Sequence, residues 1–296
     1  MKKLLALLLS LMLVFNFAAC TQKAADPTVV APPVEEPATE DPTVAEPAAT
    51  EEIATEEPVV EETHEPVTLM VAAAASLENA YVGDLIPAFQ AKYDWITVEG
   101  TYDSSGKLQT QIEEGLEADV FMSAAVKQMN ALKEEALIDV DSVVELLENK
   151  IVLIEPASAP SGITSFEDVL NADIIAVGDP ESVPAGQYAQ EAFISLGIWD
   201  DVEAKASLGT NVTEVLNWVG EGSADVGVVY ATDAASTDSV VVIAEAPEGS
   251  LSQKVIYPVG IVSASANKEA AQLFIDFLKS AEGIAIFEQY GFVANQ

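Results

Sequence analysis

The chain has 296 residues, of which 49 are acidic against 12 basic, all of them lysine, for a formal net charge of −37. Such a balance excludes a nucleic-acid partner, which needs clustered cationic side chains, and it excludes capture of anions by general electrostatic attraction. The single cysteine, Cys20, excludes an internal disulfide framework.

The chain opens with "MKKLLALLLSLMLVFNFAAC". Two lysines, an apolar run and then small residues make a secretory signal segment, too short and wrongly flanked for a membrane span. The run ends on Cys20 after Phe17, Ala18 and Ala19, which resembles a bacterial lipobox, whose cysteine becomes the lipidated first residue of the mature protein. A lipid anchor at Cys20, on the outer face of the bacterial cytoplasmic membrane, is therefore expected. Residues 21–66 follow, with thirteen acidic residues, one lysine and no aromatic. This stretch cannot bury enough apolar surface to offset chain entropy, and its prolines and like charges extend it. It is expected to be a disordered stalk.

From residue 67 strands and helices alternate. "VTLMVAAA" predicts a strand, and "SLENAYVGDLIPAFQAKY" a helix capped by Ser76 and kinked or split at Pro87. "WITVEGTY" predicts a strand, then "SGKLQTQIEEG" a helix closed by Gly115. Strand "ADVFMSA", helix "AVKQMNALKEEAL", strand "KIVLIEP" and strand "IIAVGD" continue the alternation. "VPAGQYAQEAFISLGIW" is a helix with Pro184 in its first turn, where a missing N–H is harmless. Helix "NVTEVLNWVGEG", strand "ADVGVVY", strand "QKVIYPVGIVSA" and two helices complete the chain. This order implies an α/β fold with largely parallel sheets. Ligands of such sheets bind where strands turn into helices.

Those turns are poor in enzyme chemistry. The only histidine, His64, lies in the stalk, so the body has neither a Ser/His/Asp triad nor a histidine metal site. It contains no G-x-S-x-G, P-loop or G-x-G-x-x-G. What the turns supply is helix N-termini, whose unpaired N–H groups and partial positive charge favour an anion without any cationic side chain. Ser76 and Ser105 stand where either an ordinary cap or a ligand donor would stand, and Ala185 and Gly186 present bare N–H groups after Pro184.

The segments "VAAAASLENA", "YDSSGKLQTQIEEGLEADVFMSA", "VGDPESVPAGQYAQEA" and "NVTEVLNWVGEGSADVGVVYATDA", with "YPVGIV" and "IFEQYGF" near the end, resemble the molybdate-binding proteins (ModA type) of ABC importers. The resemblance runs from about residue 67 to 296, in the family's order. It implies a two-lobed type II periplasmic-binding fold, each lobe a mostly parallel sheet flanked by helices, with the ligand cleft between them. Lobe 1 would be 67–150 plus 256–296, and lobe 2 would be 151–255. It implies a solute-binding protein rather than an enzyme, without a cofactor, acting as a monomer with an ABC permease and binding molybdenum only as molybdate, or tungstate. Ser76 and Ser105 would bind oxyanion oxygens through hydroxyl and backbone N–H groups, Ala185 and Val212 through backbone N–H groups, and Tyr230 through its phenol.

Asp103 stands where many relatives carry a small neutral residue, and it is expected to face solvent. A site made only of donors suits a fully deprotonated dianion. A protonated oxyanion such as hydrogen phosphate would leave its O–H unpaired, at a cost of roughly 1–3 kcal/mol. Because those donors do not titrate near neutrality, affinity is expected to be nearly flat from about pH 6 to 8.5. Another tetrahedral oxyanion, such as sulfate, and an interaction module on a surface lipoprotein are the alternatives.

Overall fold

The structure is a computed structural model, and it describes residues 64–295. The signal segment, Cys20 and all of the stalk before His64 lie outside the described residues. His64 itself, expected in the stalk, stacks on Trp95 with ring centroids 4.3 Å apart.

Strand β1 (Val67–Ala74) is apolar almost throughout because both of its faces are covered. Leu69, Val71 and Ala73 point into the larger core, whereas Ala72 packs with Leu108, Ile112 and Phe121 on the opposite face. A 3₁₀ turn (Ala75–Leu77), α1 (Glu78–Ala80), a π-helical segment (Tyr81–Leu85) and α2 (Ile86–Lys92) then form one helical stretch. Pro87 divides it as its ring requires: the wider π turn lies directly before α2, and the proline occupies the first turn of α2, where its N–H is not needed. Next come β2 (Ile96–Asp103), α3 (Ser105–Glu113), β3 (Val120–Met122), α4 (Val126–Glu134) and β4 (Val144–Asn149).

Only Lys150 separates β4 from β5 (Ile151–Pro156), which begins a second sheet. That half continues through β6 (Ile175–Gly178), α5 (Pro184–Ser195), α6 (Trp199–Glu203), β7 (Ala206–Gly209), α7 (Val212–Gly220), β8 (Val226–Tyr230), α8 (Ala231–Ala235) and β9 (Val240–Glu245). The chain returns to the first sheet with β10 (Val255–Ile261) and ends with α9 (Lys268–Lys279), α10 (Ala281–Gln289) and β11 (Val293–Ala294).

The strand orders are β11-β4-β10-β3-β1-β2 and β7-β6-β8-β5-β9. Parallel pairing is confined to the β-α-β units, β1 with β2 and β3, and β6 with β7 and β8. The strands next to the crossings, β4, β5 and β10, pair antiparallel with their neighbours. The sheets are thus mixed where the alternation predicted largely parallel ones. A strand that runs straight from one sheet into the other enters from the opposite end to the strands fed by a helical crossover.

Candidate functional site

The helix starts meet at one small cavity. It is lined by Ala75 and Ser76, by Asp103, Ser104 and Ser105, by Ala124, by Val183, Pro184 and Ala185, and by Val212 and Tyr230. All five residues singled out in the sequence as donors, Ser76, Ser105, Ala185, Val212 and Tyr230, stand on its wall. The space inside it is about 10 Å³, roughly what one water-sized group occupies and far below the roughly 300–1,000 Å³ of sites for drug-sized ligands. A larger cleft between the 3₁₀ turn, α8 and α10 shares only Ser76 with it.

Neither serine is a helix cap. Ser76 sits inside the 3₁₀ turn, whose cap position is Ala74, and its hydroxyl bonds to the phenol of Tyr257 at 3.0 Å. Ser105 is the first residue of α3 and fully buried. Its Oγ accepts the Ala124 N–H at 3.0 Å and keeps its own proton for another acceptor. The cap position of α3 belongs to Ser104, which caps nothing. Ser104 Oγ is buried and has no hydrogen-bond partner among the described residues. The doublet "SS" was the available signal for it.

The second sheet's half contributes two helix starts. Pro184 opens α5, so Ala185 is its second residue and is fully buried. The turn is held against β6 by Gly186, where a Cβ would collide with the Gly178 carbonyl oxygen. Val212 is the first residue of α7, capped by Asn211, whose Oδ1 accepts the Glu214 N–H at 3.0 Å. The first N–H groups of both helices have no intrahelical partner.

Tyr230 ends β8 and is 1% exposed. Its phenol donates to the Ala124 carbonyl at 3.3 Å, and its ring meets Tyr257 edge-on at 5.5 Å. Burial, with Tyr257, Tyr188 and Asp233 nearby, pushes the phenol well above its ordinary range, so it remains a donor. Tyr257 lies on β10, and its hydroxyl also receives Asn149 Nδ2 at 3.2 Å. Behind this pair is Asp233, 7% exposed, whose Oδ2 accepts the Tyr230 N–H at 3.1 Å. Burial raises its carboxyl to about 7 in spite of that bond. Sequence reasoning missed Tyr257 and Asp233: both lie in segments that carry the resemblance, but nothing local marks either as packed against Tyr230.

Asp103 does not simply face solvent. Its carboxylate accepts the Ser104 N–H at 2.7 Å, pairs with Lys107 at 3.2 Å and receives Asn211 Nδ2 at 3.4 Å. The lysine one helical turn ahead and the amide across the cleft draw it to the cavity rim.

Apart from the Asp103 carboxylate at its rim, the arrangement presents mainly donors, and it contains no cation of its own; Lys107 is occupied by Asp103. Among the described residues no group of three or more His, Cys, Asp or Glu could hold a metal ion, and no helix is long and apolar enough to cross a membrane.

The chain is similar to YvgL of Bacillus subtilis, provisionally named an ABC transporter substrate-binding lipoprotein: 38% identity over 79% of this chain and 89% of that one. It is similar to the molybdate-binding protein ModA of Escherichia coli, at 37% identity over 76% of this chain and 88% of ModA. Among solved structures it resembles one from Clostridium difficile, provisionally assigned as the substrate-binding domain of a molybdenum ABC transporter. There the TM-score is 0.61 and the identity 38%, over 78% of this chain and all of that one. Residues 69–293 match the profile of the bacterial extracellular solute-binding proteins, and the chain belongs to that family.

Proposed function

We propose that this chain is the solute-binding component of an ABC importer, taking up molybdate or tungstate outside the membrane and delivering it to its permease. The observation that carries the reading is chemical. The cavity gathers three serine hydroxyls, a phenol held protonated by burial, and the starts of α3, α5 and α7, with no cation free to serve the ligand. A fully deprotonated tetrahedral dianion accepts from all of these and needs no acceptor in return. The names of the relatives support the choice of molybdate.

In this reading Ser76 and Ser105 bind through hydroxyl and N–H, Ala185 and Val212 through N–H, and Tyr230 through its phenol. The site lies between a first lobe of residues 67–150 and 256–296 and a second of 151–255. Cys20 carries the lipid anchor, and the protein acts as a monomer. The name of the lipoprotein YvgL supports the anchor. Calorimetric titration with molybdate, tungstate, sulfate and phosphate tests the reading. Binding of molybdate and tungstate, with none of phosphate, is expected. Heat from sulfate alone would move the assignment to another oxyanion, and no heat from any of the four would refute it.

A further inference from the structure

The carboxylate at the rim of an anion site calls for a reason. Asp103 is the last residue of β2, at the edge of the first sheet. Two of its three bonds, to the Ser104 N–H and to Lys107, stay within that sheet's half. Lys107 offsets its charge, so the rim is locally close to neutral. The third bond comes from Asn211, at the start of α7 in the other half. The carboxamide of Asn211 is oriented by its capping bond: with Oδ1 committed to the Glu214 N–H, Nδ2 points away from the helix, and it meets Asp103 Oδ1 at 3.4 Å.

The same rim carries two more ties between the halves. The Gly106 N–H donates to the Ser182 carbonyl at 2.9 Å, and Gln128 Nε2 donates to Gln187 Oε1 at 3.1 Å. At Gly106 a Cβ would collide with that carbonyl oxygen, so the halves approach as closely as backbone allows. The Asp103 bond is the charged member of this set, and a hydrogen bond to an ionised acceptor is the stronger kind.

We propose that Asp103 is a closure residue: through Asn211 it ties the two halves over the cavity, with Lys107 keeping its charge from repelling the ligand. The inference rests on the oxyanion-binding reading. It makes Asp103 and Asn211 a positioning pair, satisfied only when the cleft is shut, so that closing the cleft and holding the anion favour each other.

The test exchanges the two side chains. In Asn211→Asp the cap of α7 survives, since aspartate caps as well as asparagine, but two carboxylates now face each other across the cleft. Molybdate affinity of the full chain, by calorimetry, should fall at least tenfold while the ligand-free melting temperature stays within a few degrees. In the double variant Asp103→Asn with Asn211→Asp the donor and acceptor are interchanged, and affinity should return to within about threefold of the original chain. The double variant carries one rim carboxylate, as the original chain does, so Asp103→Asn alone separates the tie from simple charge: loss of the charged tie lowers affinity, whereas relief of repulsion would raise it. Unchanged affinity in Asn211→Asp, or no recovery in the double variant, overturns the proposal while leaving the binding reading intact. If the original chain binds no oxyanion, the reading beneath it falls, and the proposal with it.

Discussion

Asp233→Asn is the substitution whose effect follows most directly from the structure. The carboxyl is buried beneath Tyr230, and desolvation raises it from 3.8 to about 7, against the lowering influence of the Tyr230 N–H. In the unfolded chain it ionises near its ordinary value. A carboxyl whose folded value is raised binds its proton more tightly in the native state, so its contribution to stability is fully present below the unfolded value. That contribution is lost as pH rises from about 4 to about 7, and the loss levels off above the folded value. A tenfold change in proton affinity is worth about 1.36 kcal/mol, so the loss at pH 8 amounts to roughly 4 kcal/mol as an upper bound. The amide of asparagine keeps an acceptor for the Tyr230 N–H and carries no charge to desolvate. The variant should therefore differ from the original chain by less than about 1 kcal/mol near pH 4 and exceed it by up to roughly 4 kcal/mol at pH 8. Urea denaturation of both chains at several pH values from 4 to 8 measures the difference, and comparing the two removes the contribution of the many other carboxylates. A constant difference across that range would refute the reasoning, since it would mean that Asp233 titrates alike in the folded and unfolded chains.

The same carboxyl changes the expected pH dependence of binding. The donors do not titrate near neutrality, but an ionised Asp233 behind Tyr230 opposes a dianion, so molybdate affinity should decline from pH 6 to 8.5 in the original chain and stay flat in Asp233→Asn, as a calorimetric series would record. Ser105→Ala deletes a charge-assisted hydrogen bond worth roughly 1.5–3 kcal/mol of affinity, and because it also strips the Ala124 N–H of its acceptor it should lower the denaturation midpoint; intact affinity would remove Ser105 from the site. Gly186→Ala drives a methyl into the Gly178 carbonyl and should cost about 1–3 kcal/mol or more, read as a lower urea midpoint. Cys20→Ser should release the protein from membranes or leave it unprocessed, since stable anchoring requires the two acyl chains that a lipobox cysteine carries; cell fractionation with normal retention would speak against the anchor.

Local sequence determined the parts of this protein that depend on neighbours in the chain. The two-faced apolar run of β1, the amphipathic helices and the proline at the start of α5 follow from periodicity and backbone stereochemistry, which act over a few residues. The order of segments was enough to show a resemblance and thereby to pick out Ser76, Ser105, Ala185, Val212 and Tyr230 before any geometry was known. What tertiary structure alone decided lies between residues far apart. Ser76 meets Tyr257 across 181 positions and Asp103 meets Asn211 across 108, and no propensity of either member announces the other. Those contacts are why Ser76 hydrogen-bonds at a distance instead of capping its helix, and why Asp103 turns to the cleft. The antiparallel course of β5 and β10 is likewise set by the end from which a crossing strand enters its sheet. Asp233 reads as one acidic residue among 49; its carboxyl is displaced because of what covers it, and desolvation is a property of the packed interior that residue order does not express.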